Sequence, residues 1–307
     1  MSDEGKMCEF RRARPVAIAG RTLVMGIVNM TPDSFSGRNA AVETAPAVGL
    51  AMEILASGAD MVDIGAESSR PGSEALDWRR ETDRLGDAVA RLRKKTDAPI
   101  SVDTYHPETA QYVLNQGADI INDITALRGG WDAADSAGER MREAVAREGA
   151  VAILMHMKGA PGKMQENPAY TDVVREVMKH LEERIAFARK GGVDAGRIWL
   201  DPGFGFGKDF QHNRALLLAL DRLNGLGCPL LAGLSRKRMI GDALGLPVDD
   251  RLEGSLALAV VAVMNGAAII RAHDVPQTVR AVRMADAVRF GLGRYTEATL
   301  RAGVPIP

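Results

Sequence analysis

Cysteine is scarce in this sequence: 307 residues contain only Cys8 and Cys228, far apart and in no metal-ligand spacing. That excludes a disulfide framework and a zinc knuckle, and a reducing cytosol is the simplest compartment. An excess of charge is missing as well. The 39 basic and 40 acidic residues leave a net charge of −1, and without a clustered basic excess no nucleic-acid partner is expected. The short group Arg11, Arg12 and Arg14 is too small to change that. Long hydrophobic runs are also absent. The longest uncharged stretch, Gly254 to Ile270, falls short of the ~20 residues that span a bilayer. Asn265-Gly266 marks a turn inside it, so it reads as a helix followed by a buried strand, and no membrane partner is expected. Asp3, Glu4 and Lys6 precede any apolar run, so no secretory leader is expected.

What the chain does have is a repeat of short apolar runs separated by amphipathic stretches. The runs are Leu23–Val28, Met61–Ile64, Ile100–Val102, Ile120–Ile121, Val151–Met155, Ile198–Leu200, Leu230–Leu234 and Ala267–Ile270. Between them the apolar residues take helical spacing, as in Val173, Val177, Leu181, Ile185 and Ala188 within 171–190. Strands that are apolar throughout belong to parallel sheets covered on both faces. Eight β-then-α units in one chain of this size predict a single (β/α)8 TIM barrel over residues 1–307, with the barrel proper at about 22–290. Residues before Leu23 would then form a short N-terminal extension that caps the barrel bottom. A doubly wound open sheet is the alternative.

The residues that follow each run carry the chemistry. Run one leads into Asn29-Met30-Thr31-Pro32-Asp33-Ser34-Phe35-Ser36. Run two contains Asp63 and leads to Glu67-Ser68-Ser69-Arg70-Pro71-Gly72. Runs three, four and five end at Asp103, Asn122-Asp123 and His156. Run six ends in Asp201-Pro202-Gly203-Phe204-Gly205-Phe206-Gly207-Lys208. The last two lead into Ser235-Arg236-Lys237 and Arg271-Ala272-His273-Asp274. One Asp after a strand is ordinarily a helix cap. Eight polar exits in eight units instead predict a small-molecule pocket at the C-terminal face of a barrel.

These strings, in this order, closely resemble the signatures of the dihydropteroate synthase family. The resemblance is carried by Met25–Ser36, Asp63–Gly72, Ile100–Thr104, Ile120–Ile124, Leu154–Gly159, Asp201–Lys208, Ser235–Lys237 and Arg271–Val275, and runs from about residue 22 to 290. It implies a (β/α)8 transferase that condenses 6-hydroxymethyl-7,8-dihydropterin pyrophosphate with p-aminobenzoate. The products are 7,8-dihydropteroate, on the route to folate, and pyrophosphate.

A pterin presents a ring N–H beside an exocyclic amino group, and a carboxylate is the complementary bidentate acceptor. By resemblance Asp201 is that acceptor, with Asp63, Asp103, Asn122 and Met155 completing the ring site. Lys237 would donate to the ring carbonyl and N5, and Arg271 would stack on the ring face. Asn29 is similar to the family's Mg2+ contact, with Asp33 the weaker candidate, and Arg271 and His273 would face the diphosphate. The p-aminobenzoate would lie between Thr31, Pro32, Phe35, Ser69, Arg70, Phe206, Gly207 and Ser235. Catalysis would rest on Asn29, Asp103, Lys237, Arg271 and His273. His156 is expected to order the fifth strand end, and His106, His180 and His212 to be loop or helix-surface residues.

The sequence departs from the family pattern at Arg238, where a hydroxyl residue is common, at Gly37-Arg38-Asn39, and at Ser69 in place of Thr. The family further implies a homodimer formed through outer-ring helices. A pterin-dependent methyltransferase and a non-catalytic pterin-binding paralogue are the rival readings. The Ser235–Lys237 and Arg271–His273 strings argue against the first, and retention of Asn29, Arg70 and Lys237 argues against the second.

Overall fold

The computed structural model describes residues 7–30, 44–67, 76–130, 135–159 and 164–293. It begins with an antiparallel hairpin of two short strands, β1 (Met7–Cys8) and β2 (Val16–Ala17). Eight parallel strands follow: β3 (Leu23–Asn29), β4 (Met61–Gly65), β5 (Ile100–Asp103), β6 (Ile120–Asp123), β7 (Val151–Met155), β8 (Ile198–Asp201), β9 (Leu231–Ala232) and β10 (Ile269–Ala272). Their order in the sheet is β8-β7-β6-β5-β4-β3-β10-β9. A parallel bridge between Leu200 and Leu230 then brings the β9 side against β8 and closes the barrel. Helices follow the strands on the outside, among them Thr44–Ala56, Trp78–Leu85, Pro107–Gln116, Asp135–Glu148, Val173–Lys190, Phe210–Leu218, Leu252–Met264 and Val275–Phe290. The TIM barrel expected from the run-and-helix repeat is the fold observed.

Strand geometry sorts the apolar residues into two cores, because successive side chains point to opposite faces. Val24, Val62, Val102, Ile121, Leu154, Leu200 and Ile270 pack outward under the helices. Their neighbours Leu23, Met25, Met61, Ile120, Ile153, Trp199, Leu231 and Ile269 fill the lumen together with Cys8 and Val16 of the hairpin. Phe10 meets Trp199 edge-on, with ring centroids 6.4 Å apart. The N-terminal hairpin therefore plugs the lower end of the barrel, as the position of the extension suggested.

Two of the strands start later than their apolar runs. The seventh shortens to Leu231–Ala232, since Pro229 has no N–H to give the ladder and Gly233 follows directly. The eighth starts at Ile269, because the Ala267 N–H is spent on the Ala262 carbonyl and closes the preceding helix. At the lower rim, carboxylates satisfy leading strand amides that the ladder does not reach. Asp60 Oδ2 accepts from Val24 N at 2.8 Å, Asp119 Oδ2 from Ile100 N at 3.0 Å, and Asp286 Oδ2 from Thr22 N at 2.7 Å.

Trp199 is fully buried, and its Nε1 has no hydrogen-bond partner among the described residues. Its contribution is volume rather than polarity. Trp199→Ala should therefore cost about 3–5 kcal/mol of unfolding free energy, and Trp199→Phe much less, because no hydrogen bond is broken. Denaturant midpoints of the two variants check this; equal losses would mean that the indole N–H is needed.

Candidate active site

One layer above the apolar lumen the inward positions turn polar. Two residues beyond Met61, Ile120, Trp199 and Ile269 stand Asp63, Asn122, Asp201 and Arg271, and Asp103 ends β5 at the same level. Arg271 spans the lumen. Its Nε donates to Asp63 Oδ2 at 2.6 Å and its Nη2 to Asp103 Oδ2 at 3.2 Å. Asn122 Nδ2 donates to the same Asp63 oxygen at 3.0 Å. Asp63 is fully buried, and its Oδ1 has no partner among the described residues. Burial pushes the Asp103 carboxyl up to about 7, with the Arg271 charge opposing.

Asp201 and Lys237 form the other side. Asp201 Oδ1 accepts from the Gly203 N–H at 2.7 Å. Burial raises its carboxyl above the usual range, against that hydrogen bond and the Lys237 charge. Burial likewise lowers the Lys237 ammonium to about 8, with Asp201 pulling the other way. Lys237 Nζ lies 4.2 Å from the centroid of the Phe206 ring. Phe206 joins Tyr105, Ile124, Met155 and Met157 in a third apolar cluster, separate from both cores. A flat ring would find acceptors and cations at its edge and this cluster against its face.

The glycine string after β8 is built for close backbone approach. Gly203 and Gly207 have φ of +71° and +64°, and a Cβ at either would overlap a carbonyl oxygen, of His156 and Lys158 respectively. Lys208 fastens the loop. It is 2% exposed, and its ammonium donates to the carbonyls of Gly203 (2.9 Å), Phe206 (3.0 Å) and His156 (3.3 Å) and meets His156 Nδ1 at 3.0 Å. Burial first, and then the Lys208 charge, drive the His156 imidazole down to about 2, so it is neutral and can accept. His156 does order the fifth barrel exit.

At the β9 and β10 exits, Ser235 Oγ and His273 Nδ1 are 3.0 Å apart. Arg236 has φ of +58° and forks onto Asp274 through Nε (3.1 Å) and Nη2 (2.6 Å). Its N–H donates to Ser255 Oγ, and Arg251 donates to the Arg236 carbonyl at 3.1 Å. These contacts hold Lys237 at the start of helix Arg238–Leu244. Arg238 itself pairs with Asp242 at 3.4 Å and its side chain is 72% exposed. Its replacement of a hydroxyl residue therefore puts no guanidinium among these groups.

The structure thus brings together Asp63, Asp103, Asn122, Met155, Asp201, Phe206, Gly207, Ser235, Lys237, Arg271 and His273, with Asn29 at the end of the neighbouring β3. Thr31, Pro32, Asp33, Phe35, Gly37-Arg38-Asn39, Ser69 and Arg70 lie outside the described residues. Asp123, adjacent to Asn122, faces the helix layer and caps its own loop, as strand alternation requires. One histidine corrects the sequence-based expectation. His180 is half-buried on its helix rather than fully exposed: it meets His156 edge-on at 4.9 Å, and burial lowers its pKa to about 4. Tyr105 of the apolar cluster, and the braces Arg251 and Ser255, had no motif to mark them, and Ile124 closes the Ile120–Ile124 string with no role read from it. Lys208 closes the Asp201–Lys208 string, but nothing in that string says that its partners are main-chain carbonyls.

Comparison with known proteins agrees with this geometry. The profile of a family described as pterin binding enzyme matches residues 25–273. The dihydropteroate synthase of Escherichia coli (strain K12) is 42% identical over 264 residues, covering 86% of this chain and 90% of that protein. The crystal structure of the Yersinia pestis enzyme in complex with a sulfonamide drug superposes with a TM-score of 0.84 at 38% identity, covering 92% of this chain and 99% of that one. The Xanthomonas albilineans enzyme with 4-aminobenzoic acid gives 0.80 at 42% identity, covering 90% and 96%. The chain belongs to the dihydropteroate synthase family of pterin-binding enzymes.

Proposed function

We propose that this chain, as a single barrel domain in the cytoplasm, condenses 6-hydroxymethyl-7,8-dihydropterin pyrophosphate with p-aminobenzoate to 7,8-dihydropteroate and pyrophosphate. The observation that carries the assignment is the polar layer itself: Asp103, Asn122, Asp201, Lys237 and Arg271 converge above a sealed apolar lumen, beside an apolar cluster sized for a flat ring. Asp201 accepts from the ring N–H and amino group, and Lys237 donates to the ring carbonyl and N5. Asp103 and Asn122 take the remaining ring donors. Met155 and Phe206 cover the ring face. Asp63 acts through the groups it holds, Arg271 and Asn122.

The diphosphate falls to Arg271 and His273, whose imidazole Ser235 orients. The donor chemistry also fits Mg2+. Asn29 supplies one neutral oxygen, and among the described residues no group of three His, Cys, Asp or Glu could hold an ion unaided. That matches a cation that takes most of its ligands from phosphate and water. When bound, it would neutralise charge on the diphosphate. By the family resemblance the p-aminobenzoate side falls to Thr31, Pro32, Phe35, Ser69, Arg70, Gly207 and Ser235, of which Gly207 and Ser235 are among the described residues.

Chemistry then needs no base near neutrality, because the aniline attacks as the free amine. The pterin spreads positive charge from its exocyclic methylene as the C–O bond to diphosphate breaks. Arg271 and His273 stabilise the departing charge. The C–N bond forms, and the aniline nitrogen gives up a proton.

The outer ring bears on oligomeric state. Helices Leu252–Met264 and Val275–Phe290 pack together, and each carries exposed apolar side chains: Met264 and Val261 on the first, and Met284 and Val288, 65% and 62% exposed, on the second. An apolar surface of this kind suits a twofold contact with a second copy. Among the described residues no helix is long and apolar enough to cross a membrane.

Three outcomes follow from these assignments. Purified protein given both substrates and Mg2+ should yield 7,8-dihydropteroate, and Asp201→Asn should lose roughly 1.5–3 kcal/mol of pterin affinity, since an amide sets a donor against a donor. Unchanged affinity by calorimetry would sink the ring assignment. His273→Ala should bind a pterin lacking diphosphate almost normally, whereas Asp103→Ala should bind it poorly, and turnover should fall in both. Removal of one preorganised donor costs about 10²–10³ in rate, and Arg271 shares the load, so the His273→Ala loss should be smaller. Finally, sedimentation should show a dimer that Val288→Asp converts to folded monomer. A monomeric wild type would dispose of the outer-ring interface.

A further inference from the structure

The turn after β6 carries a conformational cost that nothing assigned so far requires. Ala126 and Leu127 both have positive φ, +55° and +62°, although neither is glycine. Two consecutive L-residues in the left-handed region are unfavourable and persist only where their surroundings over-determine them. Both are fully buried, so neither relaxes toward solvent.

Two charged side chains supply that determination. Asp123, also fully buried, accepts at Oδ1 from Thr125 N (2.7 Å) and Thr125 Oγ1 (2.8 Å), and at Oδ2 from Leu127 N (2.8 Å). Arg184, from helix Val173–Lys190, donates through Nε to the Ala126 carbonyl at 2.7 Å and through Nη2 to the Leu127 carbonyl at 3.1 Å. The amide and carbonyl groups of the strained turn are therefore gripped from both sides. Helix Asp135–Glu148 presses on it as well, since a Cβ at Gly138 would stand 2.8 Å from the Leu127 carbonyl oxygen.

The strained turn also determines what faces the barrel mouth. It begins one residue after Asn122, whose carbonyl accepts from Thr104 N at 3.1 Å and whose amide reaches Asp63. It returns Ile124 toward the mouth, against Tyr105 and Met155. Relaxation of Ala126 and Leu127 to right-handed backbone would pull on the segment that presents Asn122 and Ile124.

We propose that Asp123 and Arg184 are positioning residues for the pterin half-site, holding a strained turn that seats Asn122 and Ile124. This rests on the assignment of the ring site made above. Neither side chain touches the substrate; both act on the backbone that presents it.

The test uses full-length Asp123→Asn, Ala126→Gly and the double variant, with 6-hydroxymethylpterin as the calorimetric probe. Asn at 123 keeps the volume but turns one acceptor into a donor facing a backbone N–H. Pterin binding should weaken about tenfold in Asp123→Asn, while the KM for p-aminobenzoate stays within about twofold. Ala126→Gly removes the penalty at that position, so the double variant should recover most of the lost affinity. Wild-type pterin affinity in Asp123→Asn would overturn the proposal. So would an equal loss for both substrates, or a double variant that recovers thermal stability but no pterin affinity. If Asp123→Asn does not fold, Arg184→Gln, which releases the Ala126 and Leu127 carbonyls of the same turn from the outer layer, is read by the same criteria. Asp201→Asn is the control. Should it bind pterin as well as wild type, the ring assignment itself fails; if it fails to bind while Asp123→Asn binds normally, only the positioning role is lost.

Discussion

A guanidinium held inside a barrel between two carboxylates sets the terms for everything above it. Arg271 bridges Asp63 and Asp103 across the lumen, and each of these charges would be costly to bury alone. Held in mutual contact, the guanidinium and the carboxylates offset part of that cost and let a layer of ionisable groups sit directly on Leu, Met and Trp side chains. Because Asp63 also accepts from Asn122, three strands not adjacent to β10 in the sheet are tied to it through side chains. The polar layer therefore has a fixed geometry before any ligand arrives. A preformed arrangement of this kind is what recognition of a rigid heteroaromatic ring requires.

Period-two alternation is how the chain builds that layer at no expense to the fold. The same strands that give Val62, Ile121 and Ile270 to the helix-facing core give Met61, Ile120 and Ile269 to the lumen, and then Asp63, Asn122 and Arg271 to the mouth. Asp123 shows the reverse case. Being one residue on from Asn122, it must face the helices, and its carboxylate is consumed by the turn. Adjacent polar residues at one strand exit thus have different duties, decided by parity alone.

Much of this was legible in the sequence. The eight apolar runs marked the strands, and the polar residue ending each one marked the mouth, because both signals are local. Asp103, Asn122, Asp201, Lys237 and Arg271 stand among those exits, and the family resemblance singled them out. The rest depended on contacts between distant segments. Arg251 braces the Ser235–Lys237 segment from a separate helix, Arg184 reaches a turn 57 residues away, and Lys208 gathers carbonyls from two strand exits. Nothing in spacing or composition announces a side chain whose partners are main-chain carbonyls. His180 was misread for a related cause: helical periodicity places a residue on a face but does not say that another imidazole waits there.

The plugged lower end has a consequence for traffic. With Phe10, Cys8 and Val16 packed against Trp199 and Leu231, the lumen opens at one end only, so whatever enters must leave by the way it came. On the assignment proposed above, a ring seated on Asp201 and Asn122 would lie against the sealed lumen and would have to arrive first, with a second reactant shutting it in. Departure reverses the sequence, with the leaving fragment nearest the opening escaping before the joined product can back out. The hairpin thus makes the barrel a queue with a single door, in which order of passage is imposed by depth rather than by affinity.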